Sequence, residues 1–379
     1  MNSHNALVLG GAVHGDERTL RQAGGDDRGL RRAGRGGVRP SPGAGLLHGG
    51  DDRGGPGEGR ADGTGARRRG VRLAIERLAE LVRGKTALFL GGVDTGKSTL
   101  IRRLHQLVGG KVLDTDIGQS EIGPPACVSL GDYEHVEESY FVGDISPRGN
   151  FIQLLSSVGQ AIRGAKGPYL IDTDGYIGGE AARALKGELV NLVRPDVLVL
   201  LQRRGELDYF RLFARRGIKV VGLRVTHQGA KSREERIRAR EEAFRDYFKG
   251  AELRRWPLKE IRFERSPIGH GERVDPGVLE EILGCRVLGA WRVGEELAAV
   301  IDIDDERCLR HLKTAKELLG VDYIHLVNLS SLRNLLVGCL AGGRLQGLGI
   351  VRSLDGEWIE ILTPAKEAMV LQAGRLIVH

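Results

Sequence analysis

Residues 91–100 read GGVDTGKSTL. Gly91, Gly96, Lys97 and Ser98 satisfy G-x-x-x-x-G-K-[ST], a loop whose glycines let successive backbone N–H groups point inward at phosphate oxygens. The motif requires a strand before it and a helix after it. Both are present: the apolar run TALFL (86–90) precedes it, and IRRLHQLV (101–108) continues with helical spacing. That helix adds the positive end of its dipole. Gly91, Gly92, Val93, Asp94, Thr95, Gly96, Lys97, Ser98 and Thr99 are therefore read as nucleotide-binding, with Lys97 on the β- and γ-phosphates and the Ser98 hydroxyl on Mg²⁺. The loop alone implies that a nucleotide is bound, not what becomes of its phosphate.

Outward from the loop, short apolar segments alternate with helical ones. TALFLGG, KVLDTD, SYFVGD, YLIDTDG, DVLVLLQ and IKVVGLRV read as strands, with helices starting near Gly96, Asn150, Gly179 and Glu206 and an amphipathic helix in VRLAIERLAELVRG. Strands apolar throughout, each followed by a helix, predict a mostly parallel sheet covered on both faces, an α/β P-loop NTPase. Ligands of such sheets lie at the carboxyl ends of the strands.

Three of those strand ends carry candidate chemistry. In LDTDIGQ, Asp114 and Asp116 are two apart, so both carboxylates can face one site; a strand-terminating Asx turn is the alternative, and next to a phosphate loop the functional reading leads for Asp116. In LIDTDGY, Asp172 is the favoured second acidic residue supporting Mg²⁺, while Asp174 is equally suited to capping the next helix. In GDISPRGN, Ser146, Pro147 and Asn150 can form a rigid turn against a substrate, with Arg148 able to pair with a phosphate. Further on, KSREERIRAREEAFRDYF places Arg236 and Arg240 on one helix face, which is either a solvated face or a lid whose arginines close over a transferring phosphoryl group.

The flanks differ from this core. Twenty of the first 70 residues are glycine and no Phe, Trp or Tyr occurs before Phe89, so the stretch 1–70 is expected to lack a core of its own. It reads as an arm touching nucleic acid, as a solvated tail, or as a GC-rich gene translated out of frame. From about 266 to 379, RVLGAWRV, LAAVIDID, YIHLVN, LLVGCL, GLGIVRSLD, EWIEILTP and RLIVH predict a smaller, mostly β domain, with one helix in ERCLRHLKTAKELLG. The division is thus 1–70, 71–265 and 266–379. The net charge of +7 favours a polyanionic partner without identifying one. The four cysteines, Cys127, Cys285, Cys308 and Cys339, form no C-x-x-C pair, and no apolar run or leader marks a membrane or secreted protein, so a cytoplasmic location is expected.

Taken in order, GGVDTGKSTL, DTDIGQSEIGPP, FVGDISPRGN, IDTDGYIGG and KSREERIRAREEAFRDYF resemble the polynucleotide 5′-hydroxyl kinase family, the archaeal RNA kinases and their eukaryotic relatives in RNA processing. The resemblance runs from about Thr86 to the C-terminus. It implies transfer of the γ-phosphate of ATP, with Mg²⁺, to the 5′-hydroxyl of RNA or DNA. It further implies that Lys97 and Ser98 hold phosphates and metal, and that Asp116 orients or deprotonates the hydroxyl. Gln119 supports Mg²⁺ or substrate, Ser146, Pro147 and Asn150 form the substrate clasp, and Arg236 and Arg240 belong to the lid, with Arg233 and Arg238 as the alternatives if the alignment slips. Family members begin with a small β-domain that helps hold the base; here the glycine tract stands in its place. A nucleotide-binding scaffold of an RNA-processing complex is the rival reading, as is a P-loop GTPase or ATPase, although the chain has neither N-K-x-D nor L-S-G-G-Q.

Overall fold

Helix α1 (Gly63–Val82) leads into β1 (Ala87–Gly91), the phosphate loop and α2 (Lys97–Val108). The computed structural model describes residues 63–225, 232–303 and 310–378, so most of the tract 1–70 lies outside the described residues. From Ala74 onward the described chain falls in one compact unit. There follow β2 (Lys111–Asp114), β3 (Cys127–Gly131), β4 (Val136–Phe141), α3 (Phe151–Gly164), β5 (Tyr169–Asp172), α4 (Glu180–Val193), β6 (Val197–Gln202), β7 (Lys219–Arg224) and α5 (Arg233–Tyr247).

The seven strands form one sheet in the order β4-β3-β2-β5-β1-β6-β7. Pairs β2–β5, β5–β1, β1–β6 and β6–β7 are parallel, whereas β2–β3 and β3–β4 are antiparallel. The period-two geometry of β1 explains its wholly apolar composition: Leu88 and Leu90 pack on one face with residues of α3 and α4, and Ala87 and Phe89 on the other with residues of α1 and α2. The expected mostly parallel sheet is therefore present, with its order reversing on either side of β1, where the loop leaves. Strand β3 escaped the sequence reading because CVSLG is short and carries Ser and Gly, yet all five residues are buried. The helix expected near Glu206 is a 3₁₀ helix over Asp208–Arg216.

The C-terminal part consists of β8 (Glu252–Pro257), β9 (Arg262–Glu264), β10 (Glu272–Val274), α6 (Pro276–Leu283), β11 (Arg286–Val293), β12 (Glu296–Asp302), α7 (Leu312–Leu319), β13 (Tyr323–Asn328), β14 (Leu335–Ala341), β15 (Arg344–Leu354), β16 (Trp358–Thr363) and β17 (Val370–Ile377). These make a four-stranded sheet, β10-β11-β12-β13, and a six-stranded one, β8-β16-β15-β14-β17-β9. The division expected at residue 265 cuts across the second sheet, because β8 and β9 precede it in sequence and pair with β16 and β17. Helix α6 was not anticipated, although its signals are local: Asp275 accepts a hydrogen bond from Gly277 N, Pro276 opens the first turn, and Gly284 closes the helix in the left-handed region. The helix expected in ERCLRHLKTAKELLG is α7, and the start of that segment, to residue 309, lies outside the described residues.

One apolar cluster matters for the site. Cys127 and Phe141 from the central sheet, Phe244 from α5, and Leu336, Leu348 and Ile350 from the six-stranded sheet pack together. The Tyr247 hydroxyl also accepts a hydrogen bond from Leu348 N at 2.9 Å. Helix α5 is thereby rooted in the C-terminal sheet at its last turns. Among the described residues, no helix is long and apolar enough to cross a membrane.

Candidate active site

The phosphate loop owes its shape to glycines at two crowded or strained points. A Cβ on Gly91 would lie 2.6 Å from the Thr95 hydroxyl, and Gly96 has φ +81°. Thr95 Oγ1 donates to Gly92 O at 2.8 Å and closes the turn. Lys97 is buried, with Nζ donating to Gly91 O and Gly92 O at 2.9 and 3.2 Å. Burial holds its ammonium below its ordinary pKa, and the charges of Asp172 and Asp116 pull it back.

Asp94 has φ +55°, a conformation that short acidic side chains tolerate. Its carbonyl and that of Val93 accept Nη2 of Arg203 at 3.0 and 3.1 Å. Its carboxylate Oδ2 accepts Nη1 of Arg236 at 2.9 Å. The sequence assigned Asp94 no chemistry of its own; in the fold it joins the loop to helix α5.

The two carboxylates of the D-x-D segment separate. Asp114 is buried and turned into its own loop, where Oδ2 accepts from Glu121 N, Ile122 N and the Ser120 hydroxyl, and Oδ1 from Asp116 N. Asp116 instead lines the cavity. Its Oδ1 accepts from Gly118 N and Gln119 N at 3.1 and 3.0 Å, so the Asx turn and the site position coexist in one side chain. Burial raises its pKa, Asp174 raises it further, and Lys97 opposes both. Gln119 Nε2 is a buried donor with no hydrogen-bond partner among the described residues, a group that an acceptor oxygen of a ligand would satisfy.

Asp172 lies beneath the loop, accepting the Ser98 hydroxyl, and its pKa is pushed up to about 6, chiefly by burial. Asp174 lines the cavity and is held from two sides: Tyr176 N donates to Oδ1 at 2.8 Å, and the buried Lys186 Nζ donates to Oδ2 at 2.6 Å. Lys186 stands on α4, and no sequence motif marks it. Replacing it with Met keeps the volume but leaves Asp174 without its cation. The expected loss is about 3–5 kcal/mol of folding stability, read as a lower urea midpoint; a midpoint equal to that of the wild type would refute it.

The segment 144–150 is knitted by its own polar groups. Asp144 accepts from Ile145 N, Ser146 N and the Asn150 amide, and the same amide reaches Ser146 O and Arg148 O. Ser146, Pro147 and Arg148 line the cavity, while Asn150 is buried and fixes the turn from within. The Arg148 guanidinium lies over the Tyr176 ring at 4.8 Å. Tyr176 also lines the cavity, and the sequence gives no signal for it, because an aromatic after D-G matches no motif.

Helix α5 starts with a capping box between Ser232 and Glu235. Its cavity face begins with Arg236, Ala239, Arg240 and Ala243, at the three- and four-residue spacing of one helix side, and continues to Tyr247. Arg240 Nε donates to Gly118 O at 3.0 Å. Arg233 and Arg238, the alternatives that spacing left open, do not line the cavity. The phosphate loop, Asp116, the segment 144–148 and α5 thus surround one cavity of about 1980 Å³. Among the described residues, no three His, Cys, Asp or Glu side chains group to hold a metal by themselves.

A nucleotide loop sharing a cavity with a carboxylate and paired arginines defines a P-loop protein able to handle a phosphoryl group and an acceptor together. The family model described as the mRNA cleavage and polyadenylation factor CLP1 P-loop matches residues 91–250. A polyribonucleotide 5′-hydroxyl-kinase of Pyrococcus furiosus is 30% identical over 322 residues, covering 78% of this chain and 87% of the relative. Namesakes from Pyrococcus horikoshii and Thermococcus kodakarensis are 29% and 30% identical over 79% and 77% of this chain, and 86% and 87% of their own lengths. The chain belongs to the polyribonucleotide 5′-hydroxyl-kinase family. Its fold is also like that of wild-type Clp1p in complex with Pcf11p, with a TM-score of 0.50 at 12% identity over 82% of this chain and 79% of that one.

Proposed function

We infer that this protein transfers the γ-phosphate of ATP to the 5′-hydroxyl end of a polynucleotide, RNA or DNA. The observation that carries the inference is the shared cavity, which puts Lys97 and Ser98, Asp116, the clasp residues Ser146 and Pro147, and Arg236 and Arg240 around one volume large enough for nucleotide and acceptor together. Asp116 accepts the proton of the attacking hydroxyl. The new O–P bond forms as the bond from the γ-phosphorus to the β–γ bridging oxygen breaks, and ADP leaves. Lys97 donates to the phosphates, and Arg236 and Arg240 offset charge on the group in transit. Gln119 donates to an acceptor or phosphate oxygen.

Ser98, Asp116 and Asp172 would hold Mg²⁺. Their hard oxygens suit it, and carboxylates raised by burial and mutual repulsion are short of positive charge. When bound, the ion neutralises charge on the β- and γ-phosphate oxygens.

The test is transfer of label from ATP to an oligonucleotide with a 5′-hydroxyl, next to one already 5′-phosphorylated. Label is expected on the first only, and Lys97→Ala should lower kcat about 10²-fold. ATP consumed equally with and without acceptor would replace this reading with a nucleotide hydrolase, and binding without turnover would replace it with a scaffold.

A further inference from the structure

Strand β17 passes directly against the clasp. Gly143 O accepts both Arg375 N, at 2.8 Å, and Leu376 N, at 3.3 Å. The two backbones approach through glycines: a Cβ on Gly143 would lie 2.6 Å from Gly374 Cα, and a Cβ on Gly374 would lie 2.7 Å from Gly143 O. This close approach sets where the next side chain goes. Arg375 is exposed, lines the cavity, and donates through Nη1 to Gly149 O at 2.7 Å.

Arg148 lines the same cavity, so its wall carries two guanidiniums, Arg148 over the Tyr176 ring and Arg375 on Gly149 O. Unlike Arg236, neither of them is in an ion pair among the described residues. Exposed cations left without a carboxylate at the wall of a cavity are suited to a phosphodiester, which accepts the planar fork of arginine.

We propose that Arg375, delivered by the C-terminal sheet, binds an internal phosphodiester of the acceptor strand, with Arg148 as a second cation on the same cavity wall. The proposal rests on the kinase reading, and it gives the C-terminal sheet a part in the substrate site. Arg375 then reads backbone and not base, so it serves RNA and DNA alike and acts only on acceptors long enough to reach it.

The test measures binding of a fluorescent 5′-hydroxyl oligonucleotide by anisotropy across a salt series, together with steady-state transfer. Arg375→Ala should weaken oligonucleotide binding about tenfold and lower the slope of log K against log salt by about 0.7, one single-strand phosphate contact. The KM for ATP should stay within twofold, and Arg375→Lys, which keeps the charge, should recover most of the salt slope. An unchanged slope in Arg375→Ala overturns the proposal. So does a loss of kcat that moves the KM for ATP and for acceptor alike, the signature of a merely structural residue. Absence of transfer by the wild type would overturn the kinase reading instead, and the binding series would still judge Arg375.

Discussion

Arg236→Ala is expected to lower the single-turnover rate of phosphoryl transfer about 10³-fold, the lower end of what an arginine acting on a transferring phosphoryl group contributes. Arg236 stands on the cavity face of α5 and already reaches the phosphate loop, with Nη1 on Asp94 Oδ2 at 2.9 Å. The arriving γ-phosphate therefore meets a guanidinium at the lip of the loop, and it competes with Asp94 for it. Arg240, one turn along and bonded to Gly118 O, is too committed to the D-x-D loop to substitute fully. Arg236→Lys should not restore the rate, because an ammonium lacks the planar fork. Rapid-quench measurement with labelled ATP checks this. A wild-type single-turnover rate in Arg236→Ala would sink the assignment of α5 as the lid.

Asp116→Asn is expected to lower kcat about 10³-fold, within the range for loss of a positioned base. The substitution keeps the turn, because the Asn side-chain oxygen can still accept Gly118 N and Gln119 N. The pH profile carries the sign. Only ionised Asp116 can take the hydroxyl proton, and burial together with Asp174 raises its pKa, so activity falls as pH drops through a value above that of an ordinary aspartate. Asp172 is also pushed up, to about 6. The acidic limb should thus change in Asp116→Asn, where Asp172 alone of the two still titrates. An identical limb in both would remove Asp116 from the role of base.

The phosphate loop was legible because its requirements are local: a buried strand, glycines where φ is positive or a Cβ has no room, and a helix start. The sheet class was legible for the same reason, since β1, β5 and β6 are apolar up to their carboxyl ends and announce two covered faces. Short or polar elements were not. Strand β3 is stabilised by neighbours on both sides rather than by its own composition. Strands β8 and β9 make sense only beside β16 and β17, more than a hundred residues on.

At the site, periodicity put Arg236 and Arg240 on one face but could not say that this face met the cavity while Arg233 and Arg238 did not. Spacing alone allowed Asp114 and Asp116 to share a role, and the loop 120–122 then claimed Asp114 for its own N–H groups. The pairings Asp94–Arg236, Asp174–Lys186 and Arg375–Gly149 join residues 142, 12 and 226 positions apart.

By itself, then, the sequence determined the nucleotide loop, the class of sheet and the order of motifs that marks the family, because each is written in neighbouring residues. Tertiary structure alone showed that Asp114 is taken up by its own loop while Asp116 lines the cavity, that Asp94 pairs with Arg236, and that strand β17 lines the same cavity. Those outcomes depend on which distant backbones are brought within hydrogen-bond reach, and no local pattern encodes that.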